Sequence, residues 1–249
     1  MVLWEGLRTN KVNISILRMG KKLRGYILFL LLSSIFFSGC AGLMRGEPSD
    51  HRDPWETTNR AIFDFNEKVD ENVLRPLAVG YERSVPQPVR TGVVNFFSNL
   101  SDLMTAVQHL LQFNFRSSSE SAMRFLVNST VGILGFADVA TNMGIAKTEE
   151  DTGQTLGTYG IPSGAYVVLP FLGPSSIRDS LGRVVDVLGD PFNNIVPDRG
   201  AKLAGNALKI VDTRARMISA EQAFEALAFD RYIGMRSAYF AIRESQIND

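Results

Sequence analysis

The stretch DPWETTNRAIFDFNEKVDEN (53–72) has apolar and polar residues at helical spacing, and this pattern predicts a helical fold. Asp53, Pro54 and Glu56 predict a helix start, as an N-cap, a first-turn proline and an acid at the third helical position. The apolar side chains that follow recur at helical spacing: Trp55, Ile62, Phe65, Val69 and Val73. The opposite side is polar: Glu56, Asn59, Arg60, Glu67 and Asp70. We therefore expect an amphipathic helix that ends at about Asn72.

Downstream of this helix, three prolines predict a turn-rich joint: Pro76, Pro86 and Pro88. Apolar residues then return at helical spacing over 89–100 and over 103–111, which predicts two short helices. Ser117–Ser119 are expected to interrupt the pattern before a fourth short helix opens at Ala122. The segment 129–144 is apolar but punctuated by glycine, which suits close backbone packing or a helix lying in lipid.

Glycines recur between Gly153 and Gly173 around the apolar run AYVVLPFL (165–172), and Pro170 disfavours a central strand there. This segment is predicted to be an irregular or re-entrant loop, with or without a short hairpin. Ser175 or Ser176 should cap a helix through Leu188. A final helical pair is expected over about 200–244, with a capping box at Ser219 and Gln222 starting its second member. The prediction is one all-α domain without internal repeats, containing one Gly-rich irregular loop.

The N-terminus has the pattern of a signal peptide. Lys21, Lys22 and Arg24 precede a mostly apolar run over 26–37. As a helix this run covers only about 18 Å, well short of a hydrocarbon core of roughly 30 Å. We therefore expect residues 1–39 to be removed. Because Met19 directly precedes the basic cluster, residues 1–18 are interpreted as an over-extended start.

The single cysteine, Cys40, follows the small pair Ser38 and Gly39 directly. This ending resembles a lipobox, in which the thiol receives a diacylglyceryl group and becomes the mature N-terminus, although Phe37 replaces the usual leucine. The alternative is an ordinary cleavage site with an incidental cysteine. In lipoproteins that resemble this chain, a residue such as Ala41 in place of aspartate implies sorting to the outer membrane. Residues 40–52 are then a lipidated tether, and residues 53–249 are the helical domain.

Composition and motifs exclude several classes of function. Charges balance at 26 basic and 26 acidic residues, and the basic excess lies before Cys40, so the mature chain is mildly acidic and no nucleic-acid partner is expected. His51 and His109 are the only histidines, and no G-x-S-x-G or G-x-x-x-x-G-K-[ST] motif occurs. His109 lies in a helical stripe, where a packed histidine is favoured over a catalytic base. We expect no enzyme activity, metal or cofactor, and a phospholipase that depends on His109 is the enzymatic alternative.

Five stretches, in order across residues 53–179, resemble the MlaA/VacJ family of outer-membrane lipoproteins. They are DPWETTNR (53–60), FNEKVDENVLRPLAVGY (65–81), VPQPVRTGVVNFFSNL (85–100), RFLVNSTVGILGFADVA (124–140) and GQTLGTYGIPSGAYVVLPFLGPSSIRD (153–179). The resemblance implies a ring-like helical protein embedded in the inner leaflet of the outer membrane, with a polar channel. Mislocalised phospholipids would leave the outer leaflet through it and pass to a periplasmic lipid carrier, beside a trimeric porin.

Two sets of side chains on the first helix suit that arrangement. Trp55, Ile62 and Phe65 are expected to face lipid, and Asn59, Asn66 and Asp70 are expected to line the polar path. The alternative is an ordinary water-soluble core with a solvated outer face. At the level of function, the alternative is a structural envelope lipoprotein that scaffolds a porin or a surface complex.

Overall fold

The structure is a computed structural model that describes residues 50–225 and 230–248, with the backbone alone over 222–225. The predicted signal peptide, the proposed start at Met19 and the lipid attachment at Cys40 lie outside the described residues. All described residues belong to one compact unit. Residues 50–52, at the end of the predicted tether, contact this unit, because the Arg52 carbonyl accepts a hydrogen bond from Tyr166 N (2.8 Å) and its guanidinium lies over the Phe240 ring.

Helices dominate the described chain, and one antiparallel hairpin interrupts them. The elements are α1 (Glu56–Val69), a π-helical turn (Asp70–Leu74), α2 (Arg75–Ser84), α3 (Gln87–Leu111), α4 (Phe115–Thr130), α5 (Val139–Asn142), α6 (Thr152–Thr158), β1 (Tyr166–Leu169), β2 (Gly173–Ser176), α7 (Ile177–Gly189), α8 (Pro191–Ile195), α9 (Arg199–Glu225) and α10 (Arg231–Asn248). The predicted helical class and single domain are confirmed, but the fold is mostly α and not all-α, because it contains the β1–β2 hairpin.

The start of α1 differs from the prediction, because Asp53 does not cap it. Trp55 occupies the N-cap position without a side-chain cap, and the helix begins at Glu56. Asp53 is instead fully buried and accepts hydrogen bonds from Asn59 Nδ2 (2.8 Å), from Arg236 Nη1 (2.8 Å) and from the Tyr232 hydroxyl. A carboxylate without water is stable only with such partners, so long-range pairing overrides the local capping signal.

The predicted helix end at Asn72 and the break at Pro76 are both wrong. Arg75 N donates to Asp70 O, five residues back, and the helical path continues into α2 as far as Ser84. Proline inside a regular α-helix removes one hydrogen bond and clashes with the carbonyl four residues earlier. The wider π turn directly before Pro76 relieves that clash, so the proline lies in the first turn of α2 without ending the path.

The two short helices predicted over 89–111 are one helix of 25 residues, α3, which is about 37 Å long. Nothing breaks it near residue 101, where Ser101 Oγ donates back to Phe97 O (3.1 Å). The predicted interruption at Ser117–Ser119 is also wrong, because Asn114 caps α4 by accepting from Ser117 N (3.2 Å). Helices α3 and α4 run antiparallel, with hydrogen bonds joining 99 to 129 and 106 to 118.

A tight turn, not a helix, follows α4. We call residues 131–136 the apolar tip, since its large side chains are exposed: Val131, Ile133, Leu134 and Phe136. Ile133 and Leu134 both have a positive φ, near 55°, and Gly135 follows at 89°. A Cβ on Gly135 would lie 2.6 Å from Asn99 Nδ2, so the glycine permits close approach of the tip to α3.

The Gly-rich segment 153–173 is more regular than predicted. Asp151 caps α6 by accepting from Gln154 N (2.8 Å), and strands β1 and β2 pair in antiparallel register from Tyr166↔Ser176 to Leu169↔Gly173. Pro170 lies in the turn between the strands, where the ladder needs no N–H, and so it does not disrupt the hairpin.

The last helices confirm one predicted boundary and correct another. Ser176 caps α7, as expected, by accepting from Asp179 N (3.1 Å). The capping box at Ser219 and Gln222 does not form, because α9 continues through it to Glu225. The start of α10 is marked by Asp230, whose carboxylate accepts from Ile233 N (3.1 Å).

A small aromatic core lies between the hairpin and α10. Its buried members are Tyr166, Val168 and Tyr232, and the half-buried residues Ile62, Phe63, Tyr239 and Phe240 pack against them. The Tyr166 ring meets those of Tyr232 and Tyr239 nearly edge-on, with centroids 6.2 Å and 5.7 Å apart. Helix α1 holds the hairpin through Asn59, which donates to Tyr166 O (3.0 Å) and accepts from Val168 N (2.9 Å).

We expect Asn59→Leu to lower the free energy of unfolding by about 3 kcal/mol, because it leaves Val168 N and part of Asp53 buried without partners. Thermal unfolding of the purified protein in detergent measures the effect. Asn72→Leu is the matched control, since Asn72 is exposed and donates only to Lys68 O within its own turn. Equal stability of the two variants would show that Asn59 does not hold the hairpin.

Candidate functional site

Polar side chains fill the interior of this protein to an unusual degree. Among the described residues, 18 polar or charged side chains are buried against 8 apolar ones, of which four are alanines. Soluble proteins show the opposite preference, because burial of a polar group costs free energy unless every hydrogen bond is remade. The buried polar groups are therefore expected to be paired, and most of them are.

Large apolar side chains lie on the exterior instead. We call the following exposed residues the apolar exterior: those of the apolar tip, Leu110, Leu111, Phe113 and Phe115 at the α3–α4 turn, Phe171 and Leu172 at the hairpin turn, and Leu181, Val184, Val185, Val187 and Leu188 on α7. Leu188 is 73% exposed and Leu134 is 68% exposed. Apolar exposure on this scale marks a surface that contacts lipid or another protein.

Arg124 on α4 is the centre of the largest buried charge cluster. Its guanidinium is about 1% exposed and lies 3.4 Å from Asp102 Oδ2 and 2.9 Å from Asp138 Oδ2. Lys147 pairs with the other Asp102 oxygen, so two cations meet two carboxylates. Burial disfavours the charged form of Asp138, but hydrogen bonds from Thr141 and Arg124 outweigh it and hold its pKa at about 2. The cluster joins α3, α4, the start of α5 and the segment between α5 and α6 that contains Lys147.

A second cluster joins α6, α7 and α10 through Asp179. This buried carboxylate accepts from Arg178 Nε (2.8 Å), from Arg243 Nε (2.8 Å) and from the Tyr239 hydroxyl. Arg243 also donates to Asp151 at 2.7 Å and 2.9 Å. Burial raises the pKa of Asp179, but these donors more than compensate and hold it at about 2.

A third group of amides and hydroxyls joins α3 to α6 and α7. Gln108 Nε2 donates to Thr152 Oγ1 (2.8 Å), and Gln108 Oε1 accepts from Thr155 Oγ1 (2.8 Å). Thr152 Oγ1 in turn donates to Asp186 on α7, and Gln112 Nε2 donates to Glu150 (2.8 Å). These side chains thus form a network and not isolated pairs.

His109 belongs to this interior and does not have the geometry of a catalytic base. Its Nε2 lies 3.0 Å from Thr148 Oγ1, and its buried Nδ1 has no hydrogen-bond partner. Burial lowers its pKa, so the ring is neutral near pH 7. A serine hydrolase needs a carboxylate on the second ring nitrogen, and none of the described residues supplies one to His109.

The three residues predicted to line a polar path occupy defined positions. Asn59 is 3% exposed and holds β1. Asn66 holds the hairpin turn by donating to Leu169 O (2.9 Å) and accepting from Phe171 N (2.7 Å). Asp70 binds Arg214 of α9 through two bonds of 2.6 Å. The structure brings Asn59 and Asn66 to the same hairpin but directs Asp70 to α9, and contact with a lipid path stays a prediction for all three.

The three residues predicted to face lipid are also separated. Phe65 is 44% exposed and stacks edge-on against Phe171 of the hairpin turn, with ring centroids 5.3 Å apart. Ile62 is half-buried against the aromatic core, and Trp55 is half-buried in the turn before α1. Of the three, Phe65 is therefore the residue that extends the apolar exterior, and lipid contact by any of them is still a prediction.

Sequence reasoning missed the Arg124 cluster, although a signal for it exists. Asp102, Thr105 and Gln108 recur every three residues on α3, and Arg124 and Asn128 lie four apart on α4. This is the spacing of an inward helix face, occupied by polar residues. A regular apolar stripe is assigned to the buried face of a helix, whereas an equally regular polar stripe is usually assigned to the solvent-exposed face.

None of the helices in the described ranges 50–225 and 230–248 is both long enough and apolar enough to cross a bilayer. Within the same ranges, histidine, cysteine and acidic side chains do not gather in a group of three that would hold a metal ion.

Comparison with known proteins identifies the family. The sequence profile described as MlaA lipoprotein matches residues 51–246. The intermembrane phospholipid transport system lipoprotein MlaA of Shigella flexneri is 34% identical over 216 residues, covering 85% of this chain and 84% of the relative. An uncharacterized protein of Rickettsia conorii is 33% identical over 195 residues and covers 78% of each chain.

A solved structure has the same fold. It comes from work on the structural basis for maintenance of bacterial outer membrane lipid asymmetry, and it is 34% identical to this chain, with a TM-score of 0.69. The superposition covers 79% of this chain and 99% of the other. Together with the profile match over almost all described residues, these similarities show that the chain belongs to the MlaA lipoprotein family.

Proposed function

We propose that this protein is a lipid-anchored outer-membrane lipoprotein that removes mislocalised phospholipids from the outer leaflet and so maintains lipid asymmetry. The observation that carries the proposal is the inverted burial: charged and polar groups fill the interior, and large apolar side chains cover the exterior. That distribution suits a protein surrounded by acyl chains that offers polar groups a sheltered interior. Relatives 34% identical to this chain are named as phospholipid transport lipoproteins, which supports the same function.

The energetics of lipid transfer explain why such a protein is needed. An unpaired charge in an apolar medium costs tens of kcal/mol in the Born limit, so a headgroup does not cross hydrocarbon unaided. Transfer of the acyl chains into water costs about 0.8 kcal/mol of free energy per methylene. A polar interior beside an apolar exterior reduces both costs, because the headgroup follows the interior while the tails stay in lipid. No covalent chemistry is required.

Transfer further requires a partner that takes the lipid on the periplasmic side. We propose a soluble periplasmic lipid carrier as that partner and a trimeric porin as the neighbour in the membrane. Cys40 would carry the acyl chains that hold the protein on the periplasmic face of the outer membrane. With two or more acyl chains, such an anchor is stable, where a single chain is marginal.

Deleting the gene should raise phospholipid in the outer leaflet and sensitivity to detergent with EDTA, and the wild-type gene should restore both. A Cys40→Ser gene should restore neither, because the protein loses its acyl anchor and is depleted from the outer-membrane fraction. Mass spectrometry of the mature N-terminus checks the modification directly. Normal lipid asymmetry in the deletion strain would contradict the transport function and favour a purely structural lipoprotein.

Charges placed on the apolar exterior should weaken membrane association. For Leu134→Glu and Leu188→Glu we expect a loss of about 1–2 kcal/mol each in transfer to vesicles, because a carboxylate on a lipid-facing surface costs less than the roughly 2–4 kcal/mol of Lys or Arg at the midplane. Co-flotation of the purified protein with phospholipid vesicles measures this change, in a Cys40→Ser background so that no acyl anchor holds every variant on the vesicles. Thr57→Glu is the control, since Thr57 is exposed on α1 and is not part of the apolar exterior. Flotation of both leucine variants at the control level would show that these side chains do not contact lipid.

A further inference from the structure

A pocket of about 510 Å³ opens between the start of α3 and the chain that follows the apolar tip. Its lining is Gln87, Pro88, Thr91, Gly92, Asn95, Phe136, Ala137, Asp138, Val139 and Asn142. The volume lies within the usual range for small-molecule sites, about 300–1,000 Å³. None of the residues predicted from the sequence to line a lipid path belongs to it.

One wall of this pocket presents neutral hydrogen-bonding groups. Within the described ranges, the side chains of Gln87 and Thr91 form no hydrogen bond with the protein, and both are exposed on the first turns of α3. Asp138 is the charged residue of the lining, but both of its oxygens accept hydrogen bonds from Arg124 or Thr141. The α3 wall therefore offers an amide and a hydroxyl to a ligand, while the one carboxylate of the pocket lining is already neutralised.

The opposite wall is apolar and continues into the apolar tip. Phe136 is half-exposed in the pocket, and Ile133 and Leu134 extend beyond it into the surroundings. The wall is also fixed in place: Asn95 Nδ2 donates to Phe136 O (3.1 Å), and a Cβ on Gly92 would lie 3.1 Å from the Phe136 ring. The pocket is thus formed before any ligand enters, which lowers the entropy lost on binding.

We propose that this pocket seats the phosphate and glycerol of a single phospholipid, whose acyl chains run outward over Phe136 and the apolar tip. The inference rests on the proposed function, since it requires the tip to lie in lipid. Gln87 and Thr91 donate to the phosphate oxygens, and the tails replace water on the apolar wall. Because the pocket lining has no cation, an anionic headgroup gains no ion pair there, and a zwitterionic phospholipid such as phosphatidylethanolamine is the expected ligand.

Photolabelling of the full acylated protein in phosphatidylethanolamine vesicles tests the pose. A diazirine placed in the headgroup should label the peptide over 87–95, and a diazirine at the end of an acyl chain should label the apolar tip, 131–136. Headgroup labelling spread equally over α7, which is apolar and exposed but has no pocket, would overturn the proposal. A phosphatidylglycerol headgroup probe should label 87–95 less, and equal labelling would overturn the zwitterionic preference.

Thr91→Trp places an indole in the pocket mouth and should abolish headgroup labelling of 87–95 while leaving acyl labelling of the tip. Thr57→Trp is the matched control, because it makes the same change at an exposed helical position outside the pocket. A thermal unfolding temperature equal to that of wild type shows that Thr91→Trp folds. Retained headgroup labelling in the folded variant would overturn the pocket assignment.

The same two variants separate this inference from the function on which it rests. In the deletion strain, Thr57→Trp should restore lipid asymmetry and Thr91→Trp should not. Full restoration by Thr91→Trp, with wild type also restoring, would overturn the pocket alone. Failure of the wild-type gene to restore asymmetry would instead overturn the transport function, and with it the lipid pose.

Discussion

Arg124 is almost completely buried, and a guanidinium in that position is stable only if carboxylates neutralise it. Asp102 and Asp138 do so from two different elements, α3 and the turn before α5. The pairing therefore fixes how α3, α4 and the apolar tip sit together. The same requirement explains the Asp53 and Asp179 clusters, each of which ties α10 to an element far away in the chain. Removing one partner of such a pair leaves a buried charge, which costs more than the pair contributes.

Because the interior is polar, the large apolar side chains lie on the exterior. Apolar residues make up 45% of the chain, and an interior occupied by ion pairs and amides leaves little room for them. They accumulate outside, on α7, at the helix turns and on the apolar tip, where water would be a poor solvent for them. The small aromatic core around Tyr166 is then the part that resembles an ordinary soluble protein. The bilayer of the proposed function would satisfy both halves of the arrangement.

The sequence alone predicted the helical class, the family and the Ser176 cap, because each depends on local spacing or on a contiguous motif. The predictions from sequence are wrong where a residue distant in the chain determines the local structure. Asp53 has an ideal capping position, yet it pairs with Arg236 some 180 residues later. Pro76 predicts a break and Pro170 disfavours a central strand, but a π turn and a hairpin turn accommodate these prolines.

The candidate site was predicted less well than the fold. Of the residues assigned to a polar path, Asn59 and Asn66 form hydrogen bonds that hold the hairpin. The larger polar interior on α3 and α4 is not predicted, because a polar stripe on a helix could equally face solvent. Periodicity identifies the faces of a helix but does not say which face is buried. Because the interior of this protein is polar, the usual assumption of an apolar inside gives the wrong answer.

The proposed function requires that lipid covers the apolar exterior of the folded protein. Nitroxide labels at cysteines introduced for Leu188 on α7 and for Thr57 on α1 test it in phospholipid vesicles by electron paramagnetic resonance. If lipid covers the apolar exterior, oxygen, which concentrates in hydrocarbon, should relax the label at 188, and a water-soluble nickel chelate should not reach this label. The label at 57 should be relaxed by the nickel chelate and little by oxygen. Equal access of the nickel chelate to both labels would contradict this requirement.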